Sequence, residues 1–112
     1  MAKDRIELAK ATYRAFSTGD RELIEELIGE DFTFHSPADE GGLDRAGYFE
    51  RCWPGAGNVE KFEFVRLIED GDEVVVTYEA TRADGTRFRN TEVLGFDGDK
   101  QVSAEVYFGW NL

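Results

Sequence analysis

The chain has 112 residues, 41% of them hydrophobic and 13% aromatic, with nine Phe and a net charge of −11. That length is typical of one domain with one core, so a single domain over residues 1–112 is expected. The excess of acid argues against nucleic acid, whose phosphates need Lys and Arg, and against an anionic membrane surface.

The start, Met1-Ala2-Lys3-Asp4-Arg5, is charged and leads directly into a helical pattern with no apolar leader. Ile6, Ala9, Tyr13 and Phe16 recur at helical spacing, and Gly19-Asp20 ends that helix and caps the next. Leu23, Ile24, Leu27 and Ile28 form one side of a second short helix ending at Gly29. Asp31 to Ser36 alternates like a strand and stops at Pro37, and Ala38 to Gly42 reads as a polar loop. Tyr48, Phe49, Cys52 and Trp53 are the apolar side of a third helix, broken by Pro54-Gly55. Cys52 is the sole cysteine, so no intrachain disulfide can form, and a lone thiol fits a reducing, cytoplasmic setting.

From Val59 onward the pattern is strand. Asp70-Gly71, Asp84-Gly85 and Asp97-Gly98 punctuate it as hairpin turns, and the last run, Val102 to Trp110, closes the chain. Helices first and an antiparallel meander afterwards predict an α+β fold, with three N-terminal helices on a curved, mostly antiparallel sheet.

The element order, with Tyr13-Arg14-Ala15-Phe16-Ser17-Thr18-Gly19-Asp20, Phe34-His35-Ser36-Pro37, and Asn90-Thr91-Glu92 through Phe96-Asp97-Gly98 to Tyr107-Phe108-Gly109, resembles the nuclear transport factor 2-like superfamily. Within it the chain is most similar to the SnoaL-like and ketosteroid-isomerase-like branch. The resemblance implies a cone-shaped α+β barrel that binds a small, mostly apolar molecule without a cofactor and forms a homodimer through the outer sheet face. It leaves activity open, because this fold hosts isomerases, cyclases, hydrolases and non-catalytic binding modules.

A two-residue loop at Asp84-Gly85 pairs Ala83 with Thr86, setting Glu79 opposite Asn90 and Thr77 opposite Glu92. Val75, Phe88, Leu94 and Phe96 then share their face, and the Asp70-Gly71 turn adds Phe62, Phe64 and Arg66. Val76 and Tyr78 fall on the other face. The resemblance makes the first face the pocket wall, since Glu92 falls where ketosteroid isomerases carry a protonated acid and Glu79 near an acid of limonene epoxide hydrolases. The Tyr78 face then becomes the dimer surface.

The expected acid–base groups are therefore Glu92, Glu79 and His35, the only histidine. Tyr13, Ser36, Trp53, Phe62, Phe64, Arg66, Thr77, Asn90 and Leu94 are expected to bind ligand. Two carboxylates in an apolar cone cannot both stay charged cheaply, and Arg66 could neutralise one. Whether His35 or Ser36 faces the pocket depends on the local bulge. Ser36 stands where ketosteroid isomerases carry their carboxylate base, and their tyrosine aligns with Thr12 rather than Tyr13. Both departures argue against steroid isomerase activity. One His and one Cys fall short of a metal site.

Overall fold

The computed structural model describes residues 4–112; the start read at Met1-Ala2-Lys3 lies outside them. Helix α1 is Arg5–Thr18, begun by Asp4, whose side chain accepts from the Ile6 amide, and ended by Gly19 at φ 69°. The left-handed position costs Gly nothing sterically, which is why the helix stops there. Asp20 caps α2, Arg21–Leu27, by accepting from the Leu23 amide. Strand β1 follows at once, Ile28–Ser36, so Gly29 lies within a strand rather than at a helix end.

Residues 39–44, read from sequence within a polar loop and a helix start, form a second strand, β2 (Asp39–Asp44). Nothing apolar in Asp-Glu-Gly-Gly marks it. It is an edge strand held by its backbone ladder to β1, with Thr33 opposite Asp44 and Phe34 opposite Leu43. Helix α3 is Arg45–Arg51, capped by Asp44, and a 3-10 turn at Trp53–Gly55 carries the proline. Four long strands complete the chain: β3 Val59–Asp70, β4 Glu73–Arg82, β5 Arg87–Asp97 and β6 Lys100–Asn111.

The six strands form one sheet in the order β2-β1-β6-β5-β4-β3. Every neighbouring pair is antiparallel except β1 and β6. The sheet curls without closing, with β2 and β3 as its edges, and three helices cover its concave face. Helix α1 packs on β3 and β4, and α3 packs on β1 and β2. No helix among the described residues is long and apolar enough to cross a membrane.

Register decides which side chains enter the concavity, and here the hairpins depart from expectation. The Asp84-Gly85 turn is a three-residue loop, Ala83-Asp84-Gly85, with Arg82 and Thr86 closing it and Gly85 at φ 91°. Such loops place a left-handed residue last, and Gly85 fills that position. One extra residue shifts the pairing by one: Tyr78 opposes Asn90, Val76 opposes Glu92, and Glu79 opposes Arg89. A shift of one exchanges the faces of a strand. Val74, Val76, Tyr78 and Ala80 therefore point into the core, all 4% exposed or less.

A second irregularity acts on β3. A bulge at Val65 separates Arg66, opposite Thr77, from Phe64, opposite Tyr78. Phe62 and Phe64 turn inward while Arg66 stays outside. Each bulge re-aims the residues beyond it, as an unpaired residue in one strand must.

Candidate functional site

The concave face encloses a cavity of about 390 Å³. Because β1, β4 and β6 run one way and β3 and β5 the other, one end of the cone gathers Ser36, Arg82 and Phe108 from strand ends and Val59 and Phe88 from strand starts. That end is the mouth. Ile24, Ile28, Leu94 and Gln101 lie toward the floor.

The wall between is aromatic. Tyr13 reaches in from α1 and meets Phe62, Tyr78 and Phe64 at centroid distances of 5.1, 5.2 and 5.5 Å, mostly edge to face. Tyr48 from α3 packs on Phe32 and Phe34 of β1 at 5.2 and 5.4 Å. Rings at these spacings are both attractive and rigid, so the wall has a defined shape.

Within this apolar wall sits one carboxyl. Glu92 accepts a hydrogen bond of 2.7 Å from the Tyr78 hydroxyl, and Asn90 Nδ2 approaches the same hydroxyl at 3.5 Å. Asn90 is held in turn, because the Gly109 amide donates to its Oδ1 at 3.1 Å. The Tyr13 hydroxyl faces the same group but has no hydrogen-bond partner among the described residues, and neither does Gln101 Oε1. Both belong to cavity-lining residues and are themselves buried with unused bonding capacity.

The surface that Glu92 retains is the cavity's, not bulk solvent's. Burial raises its pKa above 4.5, and the Tyr78 hydroxyl partly opposes that by stabilising the carboxylate. The phenols shift with it. Tyr13, Tyr48 and Tyr78 are all raised above 10.0 by burial and then by the field of Glu92, so they remain hydrogen-bond donors at any ordinary pH. The half-buried Cys52 thiol at the mouth is pushed up to about 11 by desolvation and by Asp39, which leaves it a thiol rather than a thiolate at neutral pH.

Of the residues named from sequence, Tyr13, Ser36, Phe62, Asn90, Glu92 and Leu94 line the cavity. Ser36 rather than His35 is the inward residue of its pair. Its hydroxyl donates to Asp39 Oδ2 at 3.1 Å, and Arg51 Nε holds Oδ1 of the same carboxylate at 2.8 Å. His35 is exposed on the convex face, beside Glu105 in register and with its ring against Gly42, where an added Cβ would meet Cε1 at 2.5 Å. Phe64 and Trp53 stand behind the wall, Phe64 against Tyr13 and Trp53 between Phe16 and Phe49.

Glu79, Thr77 and Arg66 are on the convex face, contrary to expectation. Glu79 pairs with Arg89, whose Nε lies 3.1 Å from Oε2, and with Arg87 at 3.4 Å. Arg66 donates to Thr77 Oγ1 at 3.2 Å, and Thr77 shares a 2.8 Å bond with Thr91. These are outer-face networks, so of the two glutamates expected in the cavity only Glu92 lies there, and Arg66 is no counter-ion to it. Tyr78 and Val76 likewise belong to the interior, not to a dimer surface.

Tyr78, Arg82, Asp39 and Gln101 are lining residues that the sequence reading missed. One signal for Tyr78 was available. In β4 the set Val74, Val76, Tyr78, Ala80 is uniformly apolar, whereas Val75, Thr77, Glu79, Thr81 is not.

The match to known proteins agrees with this architecture. A family model described as the SnoaL-like domain matches residues 9–104. The chain belongs to the SnoaL-like family. That span carries Tyr13, Tyr78 and Glu92, so the polar centre of the cone lies inside the family region. No curated protein sequence matches this one. Among solved structures, a nuclear transport factor 2-like protein of unknown function from Cytophaga hutchinsonii superposes with a TM-score of 0.75 at 21% identity, over 97% of this chain and 92% of that one. A protein of unknown function with a cystatin-like fold from Xanthomonas campestris gives 0.74 at 20%, over 96% and 92%. A candidate polyketide cyclase from Sinorhizobium meliloti gives 0.72 at 18%, over 89% and 93%. At these identities the likeness shows the fold alone, which is the cystatin-like α+β cone.

Proposed function

We propose that this SnoaL-like protein binds a small, mostly apolar molecule in its cone and moves a proton on it, as a cofactor-free isomerase, cyclase or hydrolase would. The observation that carries the reading is the Glu92–Tyr78 pair at 2.7 Å within an aromatic cavity. A carboxyl whose pKa is raised by burial keeps its proton to higher pH and, once ionised, is a stronger base than a free glutamate. Tyr78 holds the carboxylate with its one O–H, and the Tyr13 hydroxyl, without a hydrogen-bond partner among the described residues, is the donor left to stabilise an oxyanion forming beside it. Tyr13 thereby offers the donor that the sequence alignment assigned to Thr12.

The test is hydrogen–deuterium exchange at the acidic C–H of 2-tetralone, a bicyclic ketone small enough for the cavity, in deuterated buffer. The wild type should accelerate exchange, and Glu92→Gln should lose roughly 10²- to 10⁴-fold of that acceleration, the usual contribution of a general base. Equal exchange in the two proteins would remove Glu92 from the mechanism.

A second reading rests on the same network seen as finished structure. Tyr78, Asn90 and the Gly109 amide already satisfy one another, as in a binding module without chemistry. A tetralone-like ligand would then raise Tm by mass action and be recovered with no exchange above buffer. We further infer that two copies pair through the outer face of the sheet, where Ile68, Tyr107 and Trp110 are each half or more exposed. A cytoplasmic setting accords with the lone Cys52 thiol.

A further inference from the structure

We infer that the physiological ligand is an amphipathic anion, with an apolar body in the cone and a carboxylate or similar oxyanion held at the mouth by Arg82. The inference rests on the cone being a ligand pocket and adds the class of molecule it takes.

Besides phenols and a thiol, the cavity is lined by two carboxylic acids, Asp39 and Glu92, and one guanidinium, Arg82. Asp39 is already neutralised by Arg51 at 2.8 Å. Glu92 is paired with Tyr78. Arg82 differs from both, because no carboxylate among the described residues lies within ion-pair distance of it. Its hydrogen-bond contact is a marginal one of 3.5 Å to Thr86 Oγ1. Asp84, the acid nearest in sequence, turns its Oδ1 to the Thr86 amide and hydroxyl at 3.0 and 2.7 Å instead.

Arg82 is nonetheless held in place. Its guanidinium carbon lies over the Phe88 ring, 4.1 Å from the centroid, a cation–π contact that uses none of its N–H groups as hydrogen-bond donors to a carboxylate. A guanidinium with donors to spare can bind a carboxylate through two parallel hydrogen bonds. Arg82, Phe88, Asn90 and Phe108 also line an adjoining cavity of about 290 Å³, so the cation sits where the cone opens into a second space.

Position sets the length of the molecule. Arg82 and Tyr78 are four residues apart on the inward side of β4, about 13 Å at the usual strand rise. A ligand reaching from one to the other spans the aromatic wall, with its anion at the mouth and its other end beside Tyr78 and Glu92. The surrounding charge of −11 opposes any anion, so a local cation is what would admit one.

Decanoate and its neutral isostere decanamide, chains of about this length, test the assignment by calorimetric titration. The wild type should bind decanoate about tenfold or more tightly, the range of a charge-assisted hydrogen bond. In Arg82→Gln the difference between the two probes should collapse, and in Arg82→Lys part of it should return. Circular dichroism confirms that the exposed substitutions leave the fold intact. Equal binding of the two probes by the wild type overturns the anion proposal while leaving the pocket reading standing. A preference for decanoate that survives Arg82→Gln also overturns it, since the anion then binds elsewhere. Binding of neither probe removes both.

Discussion

Glu92 is the residue on which the proposed chemistry turns, and its burial has a consequence for stability as well. Its pKa in the folded protein is raised above 4.5, so the native state retains a proton that the unfolded chain releases. The stability this group contributes is fully present below pH 4.5 and is lost as pH rises through the elevated value. Glu92→Gln removes that dependence while preserving the shape. Its Tm should match the wild type near pH 4 and exceed it by several degrees at pH 8, where each kcal/mol moves Tm by roughly 4–8 °C in a chain of this size. A Tm difference that stays flat between those two pH values would mean that Glu92 is solvated in the folded state. Gly109 illustrates the same residue-level economy. An added Cβ there would lie 2.2 Å from the Arg89 carbonyl oxygen, so glycine lets β6 bulge. That bulge puts Phe108 inward opposite Asn90 and Trp110 opposite Arg89.

At the level of elements, the hairpin between β4 and β5 shows that burial outranks turn chemistry. Asp84-Gly85 suits a two-residue turn, yet accepting it would have turned Val76 and Tyr78 outward and Glu79 into the core. The chain adopts the longer loop instead, because burying Val74, Val76, Tyr78 and Ala80 outweighs the preference of one turn. Deleting Ala83 removes the conflict, for a two-residue Asp84-Gly85 loop then joins Arg82 to Thr86 in the observed register. That variant should fold. Its loss is the hydrogen bond from the Ala83 amide to the Asn58 carbonyl, about 0.5–1.5 kcal/mol, so Tm should fall by no more than roughly 10 °C. Thermal melting and near-ultraviolet circular dichroism check this, and a molten or unfolded product would show that the loop itself sets the register. The Val65 bulge acts in the same way on β3, keeping Phe62 and Phe64 against Tyr13 while leaving Arg66 in water.

For the whole molecule, the cone uses one sheet face for the cavity and leaves the other mixed. The convex side carries the Arg87–Glu79–Arg89 cluster beside the exposed aromatics Tyr107 and Trp110. Half-exposed aromatics flanked by partnered charges suit a surface that is covered part of its area and solvated at its rim. Sedimentation at tens of micromolar, an order of magnitude suited to weak pairs, should find a dimer, and Tyr107→Glu should yield a monomer with the same circular dichroism spectrum. A monomeric wild type would rule out pairing at that concentration.

Local chemistry along the chain was enough to establish three helices, the Gly19-Asp20 boundary between the first two, the meander with its Gly turns, and the α+β class. Side-chain periodicity, capping and composition are written residue by residue. The placing of Glu92, Asn90, Leu94, Tyr13 and Phe62 along the cavity wall came from the family resemblance, because both faces of the strands read as mixed. Strand β2 was not legible, since its ladder is made of backbone and its side chains carry no apolar pattern. Nor were the outward turn of His35 or the separation of Glu79 from Glu92, and the faces of β4 showed only in an apolar alternation that the two-residue turn reading overrode. Each depends on a one-residue offset at a loop or bulge, and the offset is chosen by the total burial of both strands against α1. Only the folded sheet could show that Tyr78, not Glu79, meets Glu92, and that Arg82 stands at the mouth of the cone.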